Sequence, residues 1–237
     1  MKKVLIDLTR SKSLYNGQGQ FCFILGNELS KIESSKIEKT FLIRKSERKL
    51  FKNHDKFEWL QYYYRITIPR WIRLIHQFFI PTFDVWHVTA QDVNFWPISA
   101  HTKVILTIHD LNFLIEAKTE SRRQRRLKRL QRRVDRANYI TTISNFSASE
   151  IRKHLVVKGK TIQVIYNGGV DESQKNKVGS KPDFKSIDSK FLFSIGVVKP
   201  KKNIHVLLPL IANLEEYKLV ISGDDKDQYA SEVRQEI

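Results

Sequence analysis

Cysteine is almost absent from this sequence, since Cys22 is the only one among 237 residues. A single thiol excludes an internal disulfide framework and any metal site built from several thiolates. Such scarcity is typical of a reducing compartment, so we expect a cytoplasmic protein. Seven histidines are present, but none shows a metal-ligand spacing such as HExxH, and we expect no metal site.

Long apolar runs and excess acidic charge are also missing. No run reaches the roughly 20 apolar residues that a membrane-spanning helix needs. The start, MKKVLIDL, has the lysines of a signal peptide, but Asp7 interrupts its short apolar stretch, which predicts a strand instead. Lysine and arginine outnumber acidic residues 42 to 25, giving a net charge of +17. This excess predicts attraction to nucleic acid, anionic lipid or phosphorylated substrates.

Short β-rich runs alternate with helical stretches along most of the chain. Their near-continuous apolar composition, as in Val104–Ile108, is typical of strands buried on both faces. The alternation predicts an α/β fold with a doubly wound, Rossmann-like parallel sheet covered by helices. The six runs are Lys3–Leu8, Thr40–Ile43, Asp84–Val88, Lys103–Ile108, Tyr139–Ile143 and Ile162–Ile165.

Composition divides the chain into two domains. Residues 1–170 carry the runs above, and residues 171–189 are polar and without hydrophobic periodicity, as in an interdomain linker. Residues 190–237 begin a second Rossmann-like series, which we expect to be incomplete because a domain needs on the order of 100 residues. Its predicted elements are the strands Phe191–Ile195 and Lys218–Ile221, a helix near Lys202–Asn213 and a polar last helix.

Two candidate ligand loops follow predicted strands of the first domain. Gly17 and Gly19 precede a helix, where free N–H groups and the helix dipole attract anions; a simple turn explains these glycines equally well. His109 and Asp110 follow the strand Lys103–Ile108, at the edge where open α/β sheets bind ligands. For His109, hydrogen bonding to local backbone is the alternative.

The strands Tyr139–Ile143 and Ile162–Ile165 are followed by residues whose presence a local structural role explains without a ligand. Ser144 or Asn145 has the position of a helix N-cap. Asn167 and Gly168 form a pair that is typical of a tight turn. Both places remain candidates for substrate loops.

The second domain opens with a glycine followed by a basic loop. Gly196 follows the predicted strand, and Lys199, Lys201 and Lys202 precede the predicted helix. Cations at a helix N-terminus oppose the helix dipole, so their concentration favours a bound diphosphate. A solvated basic loop is the alternative.

Residues 121–138 predict an amphipathic helix with a cationic outer face. An anionic membrane or another polyanion suits that face. A solvated basic helix is one alternative, and nucleic-acid binding is another, although no known DNA- or RNA-binding pattern is present. The candidate contacts are Arg122, Arg123, Arg125, Arg126 and Arg129, with Trp71 and Arg73 from an earlier segment.

The order of these motifs resembles the retaining glycosyltransferases of family 4, which have the two-lobed GT-B fold. The motifs are TIHDL at Thr107–Leu111, TTISNFSASEI at Thr141–Ile151, VIYNGGVD at Val164–Asp171 and FLFSIGVVKPKKNI at Phe191–Ile204. The resemblance implies sugar transfer from a GDP- or UDP-linked donor to a glycan or lipid-linked acceptor, with retention, in surface-polysaccharide assembly. It also implies that residues 1–170 form the acceptor-side lobe.

Residue roles follow from the same resemblance. His109 would face the donor sugar, and Lys202 would neutralise the leaving diphosphate without a metal or cofactor. Lys201, or alternatively Lys199, would assist Lys202, while Gly17, Gly19 and Gly196 would lie near the diphosphate.

Two departures from the family pattern limit these expectations. Val197 stands where many members have an arginine, and the family's paired-glutamate segment is absent. The sequence therefore predicts a truncated donor lobe with reduced activity unless a second chain completes it. The alternatives are an inactive or partner-dependent remnant that acts as a binding module, and a basic nucleic-acid-binding protein. A peripheral position on the inner face of the cell membrane fits the transferase reading.

Overall fold

The computed structural model describes residues 1–12, 14, 16–51, 82–97, 99–168, 190–223 and 225–236. Trp71, Arg73 and the predicted linker at 171–189 lie outside these residues. The chain divides into two compact units, Met1–Asn167 and Gly168–Ile237. Among the described residues, no helix combines the length and apolarity needed to cross a bilayer.

The first unit contains a parallel sheet of six strands in the order β2-β1-β3-β4-β5-β6. The predicted doubly wound, Rossmann-like sheet is therefore confirmed, and strand ends differ from the predicted ones by at most three residues. The strands are β1 (Lys2–Asp7), β2 (Ile37–Leu42), β3 (Val85–Val88), β4 (Lys103–Ile108), β5 (Tyr139–Thr142) and β6 (Ile162–Val164).

Helices cover both faces of this sheet. On one face, α1 (Gly17–Lys31) joins a core that includes the buried Ile6 and Phe41. The opposite face carries a larger core to which α3 (Glu120–Arg136) and α4 (Asn145–His154) contribute. A short helix, α2 (Phe113–Glu116), precedes α3.

The apolar stripe of α3 explains how so basic a segment folds. Leu127, Leu130 and Val134 recur at helical spacing and face the core, where Leu130 and Val134 are buried. The Thr119 side chain caps the helix by accepting from the N–H of Arg122. This narrow apolar stripe therefore packs α3 against the core, and the other sides of the helix can carry charge.

The strand order places a topological switch point beside β1. From β1 the chain moves to β2 on one side, and later strands follow on the other side, beginning with β3. Adjacent connections leave in opposite directions there, which opens a crevice at the carboxyl ends of β1 and β3. This crevice is the expected ligand position in the first unit.

The second unit pairs β7 (Lys190–Ile195) and β8 (Tyr217–Ser222) in parallel. The predicted helix near Lys202–Asn213 is wrong in its bounds. Asn203 adopts the left-handed conformation, with φ 52° and ψ 39°, and so breaks the segment into short turns. The pieces are 3-10 turns at Pro200–Lys202 and Ile204–Leu207 and then α5 (Leu208–Ala212); α6 (Gln228–Gln235) follows β8.

Gly26 marks a close approach between α1 and the chain beside it. A Cβ at this position would lie 2.5 Å from Leu8 Cδ1 and 2.8 Å from Phe51 Cε1. We expect Gly26→Ala to lower the free energy of unfolding of the first unit by about 1–3 kcal/mol, because the buried neighbours must shift. Urea unfolding followed by circular dichroism measures this.

The matched control is Gly17→Ala in the same helix, where an added Cβ meets nothing within 4 Å. Alanine should leave stability unchanged or raise it by up to about 1 kcal/mol at that place. Equal unfolding midpoints for the two variants would contradict the close packing of α1.

Candidate functional site

His109 joins three loops at the carboxyl edge of the sheet. Its backbone N–H donates to Gln91 Oε1 at 3.1 Å, and its Nε2–H donates to the Thr89 carbonyl at 2.9 Å. Its own carbonyl accepts from Ser147 Oγ at 2.8 Å. The residue is only 4% exposed. The loops after β3 and β4 and the start of α4 are therefore fixed to one another at His109.

These bonds determine what the imidazole can do. A carbonyl only accepts, so Nε2 carries the proton and Nδ1 is left as an acceptor. Burial lowers the pKa of His109, although the bond to Thr89 opposes that shift. Phe21 packs edge-on against the ring with centroids 4.8 Å apart. His109 is thus a neutral, oriented histidine whose Nδ1 can accept from a ligand hydroxyl. The alternative role given above, hydrogen bonding to local backbone, is the one that Nε2 has.

Gln91 completes this arrangement, and sequence reasoning missed it. Its Nε2 donates to the Asp110 carbonyl at 3.0 Å, while its Oε1 holds the N–H of His109. Arg133 from α3 donates to the Gln91 carbonyl and, at 2.8 Å, to the Val93 carbonyl. The position of Gln91 just after β3 was the available signal, because ligand loops follow strand ends.

Asp7 is a buried carboxylate at the end of β1. Its Oδ1 accepts from the Thr9 N–H at 2.9 Å and the Thr9 hydroxyl at 2.6 Å. Its Oδ2 is buried with no hydrogen-bond partner in the described part of the chain. Burial raises the pKa of Asp7 to about 6, against the lowering effect of the Thr9 bonds. An ionised Asp7 is therefore costly in the folded state.

Cys22 is bound into the same region but is chemically inert. Thr89 Oγ1 donates to the Asp7 carbonyl, so the Cys22 thiol donates to Thr89 Oγ1 at 3.4 Å. Burial raises the pKa of Cys22 to about 12, which keeps it a thiol rather than a nucleophilic thiolate. Among residues 1–51, 82–168 and 190–236, as far as they are described, no cluster of three metal-ligand side chains occurs.

The glycine loop opens α1 as predicted for a helix N-terminus. Asn16 is the N-cap, and its side chain accepts from the N–H of Gly19 at 2.9 Å. The Gly19 amide is thereby occupied, whereas Gly17 and Gln18 begin the helix where no preceding turn supplies acceptors. Any anion at this end would meet the amides of Gly17 and Gln18 first.

Asp110 and Ser144 are held by their own loops. Asp110 Oδ1 accepts from the Asn112 N–H at 3.1 Å. Ser144 caps α4 by accepting from the Ser147 N–H at 3.1 Å, and its hydroxyl donates to Ser147 Oγ at 3.0 Å. Since Ser147 bonds to His109, the capping role of Ser144 also supports His109.

Asn167 and Gly168 do not show the predicted tight turn. Residues 165–168 are irregular and exposed, and Gly168 lacks the positive φ found at Gly159 and Gly196. The physical reason is that the chain leaves the first unit here, at the boundary after Asn167. No bend returns the chain to the sheet within the described residues.

The lysine loop of the second unit is built on two glycines. Gly196 has φ 138°, a conformation that favours glycine. A Cβ on Gly223 would lie 1.8 Å from the Gly196 carbonyl oxygen, so the two strand ends approach closely. The Lys202 side chain lies beside this turn, with Nζ 3.9 Å from a Cβ built on Gly196. Val198 and Ile204 are buried on either side of Lys202 and anchor the loop.

The predicted cationic contacts lie on α3 in two environments. Arg122, Arg125, Arg126 and Arg129 are exposed. Arg123 is half-buried and donates to Glu120 at 2.7 Å. The predicted set therefore separates into outward cations and one that is paired within the helix.

Asp7 generates a pH-dependent prediction. Its folded-state pKa of about 6 exceeds the ordinary 3.8, so its contribution to stability is present at low pH and is lost as pH rises through 6. Relative to Asp7→Asn, wild type should lose about 1 kcal/mol of unfolding free energy between about pH 5 and about pH 7.5.

Urea unfolding of both proteins at the two pH values provides the measurement. Asparagine keeps the acceptor for Thr9, and the cost of its buried amide is the same at both pH values, so the difference isolates ionisation of Asp7. A difference between the proteins that does not change with pH would contradict the buried carboxylate.

The chain is similar in fold to sucrose-phosphate synthase from Thermosynechococcus elongatus, with TM-score 0.60 and 15% identity over 99% of this chain. It spans 66% of that protein, just under two thirds. An S. aureus MnaA–UDP co-structure matches with TM-score 0.46 and 18% identity, over 100% of this chain and 66% of that one. No curated protein gives a significant match.

The likeness to the synthase establishes the fold alone. Family membership comes from the sequence, because residues 16–173 match the profile of Glycosyltransferase Family 4. That match covers well over half of the chain and includes Gly17, His109 and Ser144. The chain therefore belongs to Glycosyltransferase Family 4.

Proposed function

We propose that this family member transfers a sugar from a GDP- or UDP-linked donor to a glycan or lipid-linked acceptor. The observation that carries the proposal is the Lys202 amine beside the turn of Gly196 and Gly223. Glycines let a ligand approach the backbone closely, and the cation supplies the charge that a diphosphate needs. The reaction requires no metal in this proposal.

Lys202 serves bond breaking. As the bond from the anomeric carbon to the diphosphate breaks, negative charge collects on the departing diphosphate. The acceptor hydroxyl oxygen forms the new bond to that carbon, and its proton passes to the departing diphosphate. A fixed cation stabilises that charge more in the transition state than in the ground state. Lys201 assists in the same loop, and retention at the anomeric carbon is the stereochemistry that family membership favours.

His109 serves orientation of the sugar. Its Nδ1 accepts from a donor-sugar hydroxyl, because Nε2 is committed to Thr89 and burial keeps the ring neutral. Gln91 and Ser147 hold the His109 backbone, so the ring loses little freedom on binding. We place this activity in surface-polysaccharide assembly, on the cytoplasmic side of the membrane.

A second candidate, a partner-dependent transferase, is favoured by the surface of β7. Phe193 is 51% exposed and Ile195 is 75% exposed on a sheet that has two strands among the described residues. Two strands alone are marginally stable, and such apolar faces normally pack against further elements. In this candidate a second chain completes the sheet before the nucleotide binds.

Lys202→Ala tests the diphosphate assignment. We expect GDP or UDP to bind roughly ten- to a hundredfold more weakly, because a charge-assisted contact to phosphate is lost. Isothermal calorimetry measures the affinity. Lys218→Ala is the matched control, since it removes an exposed lysine from β8 in the same unit.

Equal losses in the two lysine variants would contradict a specific role for Lys202. If neither nucleotide binds the wild-type chain at all, the partner-dependent candidate is favoured over the autonomous transferase.

His109→Gln tests the sugar assignment. Glutamine can still donate to the Thr89 carbonyl but removes the Nδ1 acceptor. We expect turnover of the donor to fall roughly a hundredfold while nucleotide affinity stays near that of wild type, because the lost contact is to the sugar. Transfer assays and calorimetry measure the two quantities.

The control is His101→Gln, which changes an exposed histidine just before β4, at the opposite edge of the sheet. It should leave both quantities unchanged. Wild-type turnover in His109→Gln would show that His109 only fastens the loops.

A further inference from the structure

Six cations form one exposed surface along α3. We call it the outer cationic face, and its members are Arg122, Arg125, Arg126, Lys128, Arg129 and Arg132. None of them forms an ion pair with an acidic side chain in the described part of the chain. The two acids of the helix are engaged elsewhere, since Glu120 pairs with Arg123 and Asp135 pairs with Lys158. Positive charge on this face is therefore uncompensated within α3.

This face is unfavourable for the isolated helix. Arg122, Arg125 and Arg129 lie three or four residues apart, and like charges at that spacing repel. Arg122 also stands in the first turn, where the helix dipole disfavours a cation. Repulsion of this kind is relieved by an anionic partner that extends along the helix, about 25 Å for its 17 residues.

Two other arginines of α3 have structural roles that the outer cationic face does not share. Arg133 donates to the carbonyls of Gln91 and Val93, and Arg136 donates to those of Ser99 and Thr102 at 2.9 and 3.0 Å. These two side chains fasten loops to α3. Arg122, Arg125 and Arg129 of the outer cationic face fasten no loop in the described part of the chain, so their charges are available to a partner.

An exposed apolar residue lies on α2, the short helix that one member of this face contacts. Ile115, in α2, is 87% exposed. Phe113 of the same helix lies under the guanidinium of Arg126, with 5.9 Å from Cζ to the ring centroid. Arg126 therefore links α2 to the cationic face, and the exposed Ile115 belongs to the helix that Arg126 contacts.

We propose that the outer cationic face and Ile115 dock on an anionic lipid bilayer. The arginines contact lipid phosphates in the headgroup layer, and Ile115 enters the boundary between headgroups and acyl chains. Charge complementarity and the adjacent apolar tip argue for this partner together. Helix α2 follows β4 at the edge of the sheet that carries His109. Docking through α2 and α3 would therefore place this edge beside a lipid-linked acceptor, and to that extent the inference rests on the proposed function.

A bilayer fits the surface better than nucleic acid does. Nucleic-acid surfaces combine arginines with aromatic or polar groups that stack on bases or reach base edges. Here the nearby ring, Phe113, is covered by Arg126, and the exposed group is an aliphatic side chain. An aliphatic tip gains free energy in lipid and none from base recognition.

Vesicle co-sedimentation tests the proposal with the whole chain. The probes are vesicles of phosphatidylcholine with and without about 30% phosphatidylglycerol, at low ionic strength. The variant combines Arg122→Gln, Arg125→Gln and Arg129→Gln. The matched control combines Lys2→Gln, Lys36→Gln and Lys103→Gln, which removes the same charge from exposed lysines at the opposite edge of the sheet.

We expect wild type and control to bind the anionic vesicles, and the arginine variant to bind on the order of a hundredfold more weakly. Ile115→Ser should retain binding at low salt but lose the part that persists at high salt, because insertion is not screened. Unfolding midpoints show that the variants are folded.

Equal weakening in the arginine variant and the lysine control would overturn the docking surface. Tighter, α3-dependent binding of an oligonucleotide than of the vesicles would overturn the choice of partner. Vesicle binding needs no donor and nucleotide calorimetry needs no vesicle. Failure of one assay therefore identifies which of the two proposals is wrong.

Discussion

The hydrogen bonds of His109 are the constraint on which the rest of the first unit's ligand edge depends. Parallel strands end at a common edge, but each strand is followed by a separate loop, and strand pairing alone does not fix the positions of these loops. The backbone and Nε2 of His109 bond to Gln91 and Thr89, which follow β3, and to Ser147, which follows β5. One buried residue therefore gives the switch point a defined shape.

That shape is maintained at some cost in stability. Asp7 ends β1 with one carboxylate oxygen bonded to Thr9 and the other buried without a described partner. A neutral or apolar residue would be more stable there at neutral pH. Strained electrostatics of this kind concentrate where proteins bind ligands, and Asp7 lies at the strand end that leads to the glycine loop.

Helix α3 has two sides with different roles. Its apolar stripe and the inward arginines Arg133 and Arg136 fix the loop that carries Gln91 and the residues before β4. Its other side presents the outer cationic face. The helix that shapes the ligand edge is thus also the one that carries the surface for which we propose lipid docking.

Much of this protein could be predicted from its sequence, because apolar periodicity and strand-end motifs are local. The strands of both units, the basic helix and the family follow from such patterns, with Val104–Ile108 and the TIHDL motif as examples. The helix predicted near Lys202–Asn213 was wrong in its bounds because no local pattern predicted the left-handed conformation of Asn203. The position of Gln91 after β3 was a local signal, but the bonds of Gln91, Thr89 and Arg133 could not be found in this way. The roles of these residues are hydrogen bonds between loops far apart in sequence, which exist only once the strands lie side by side.

By itself, the sequence determined the sheet, the family and the candidate His109 and Lys202. Only the tertiary structure decided which atom of His109 is free and which arginines of α3 face outward, because both depend on partners that folding brings together.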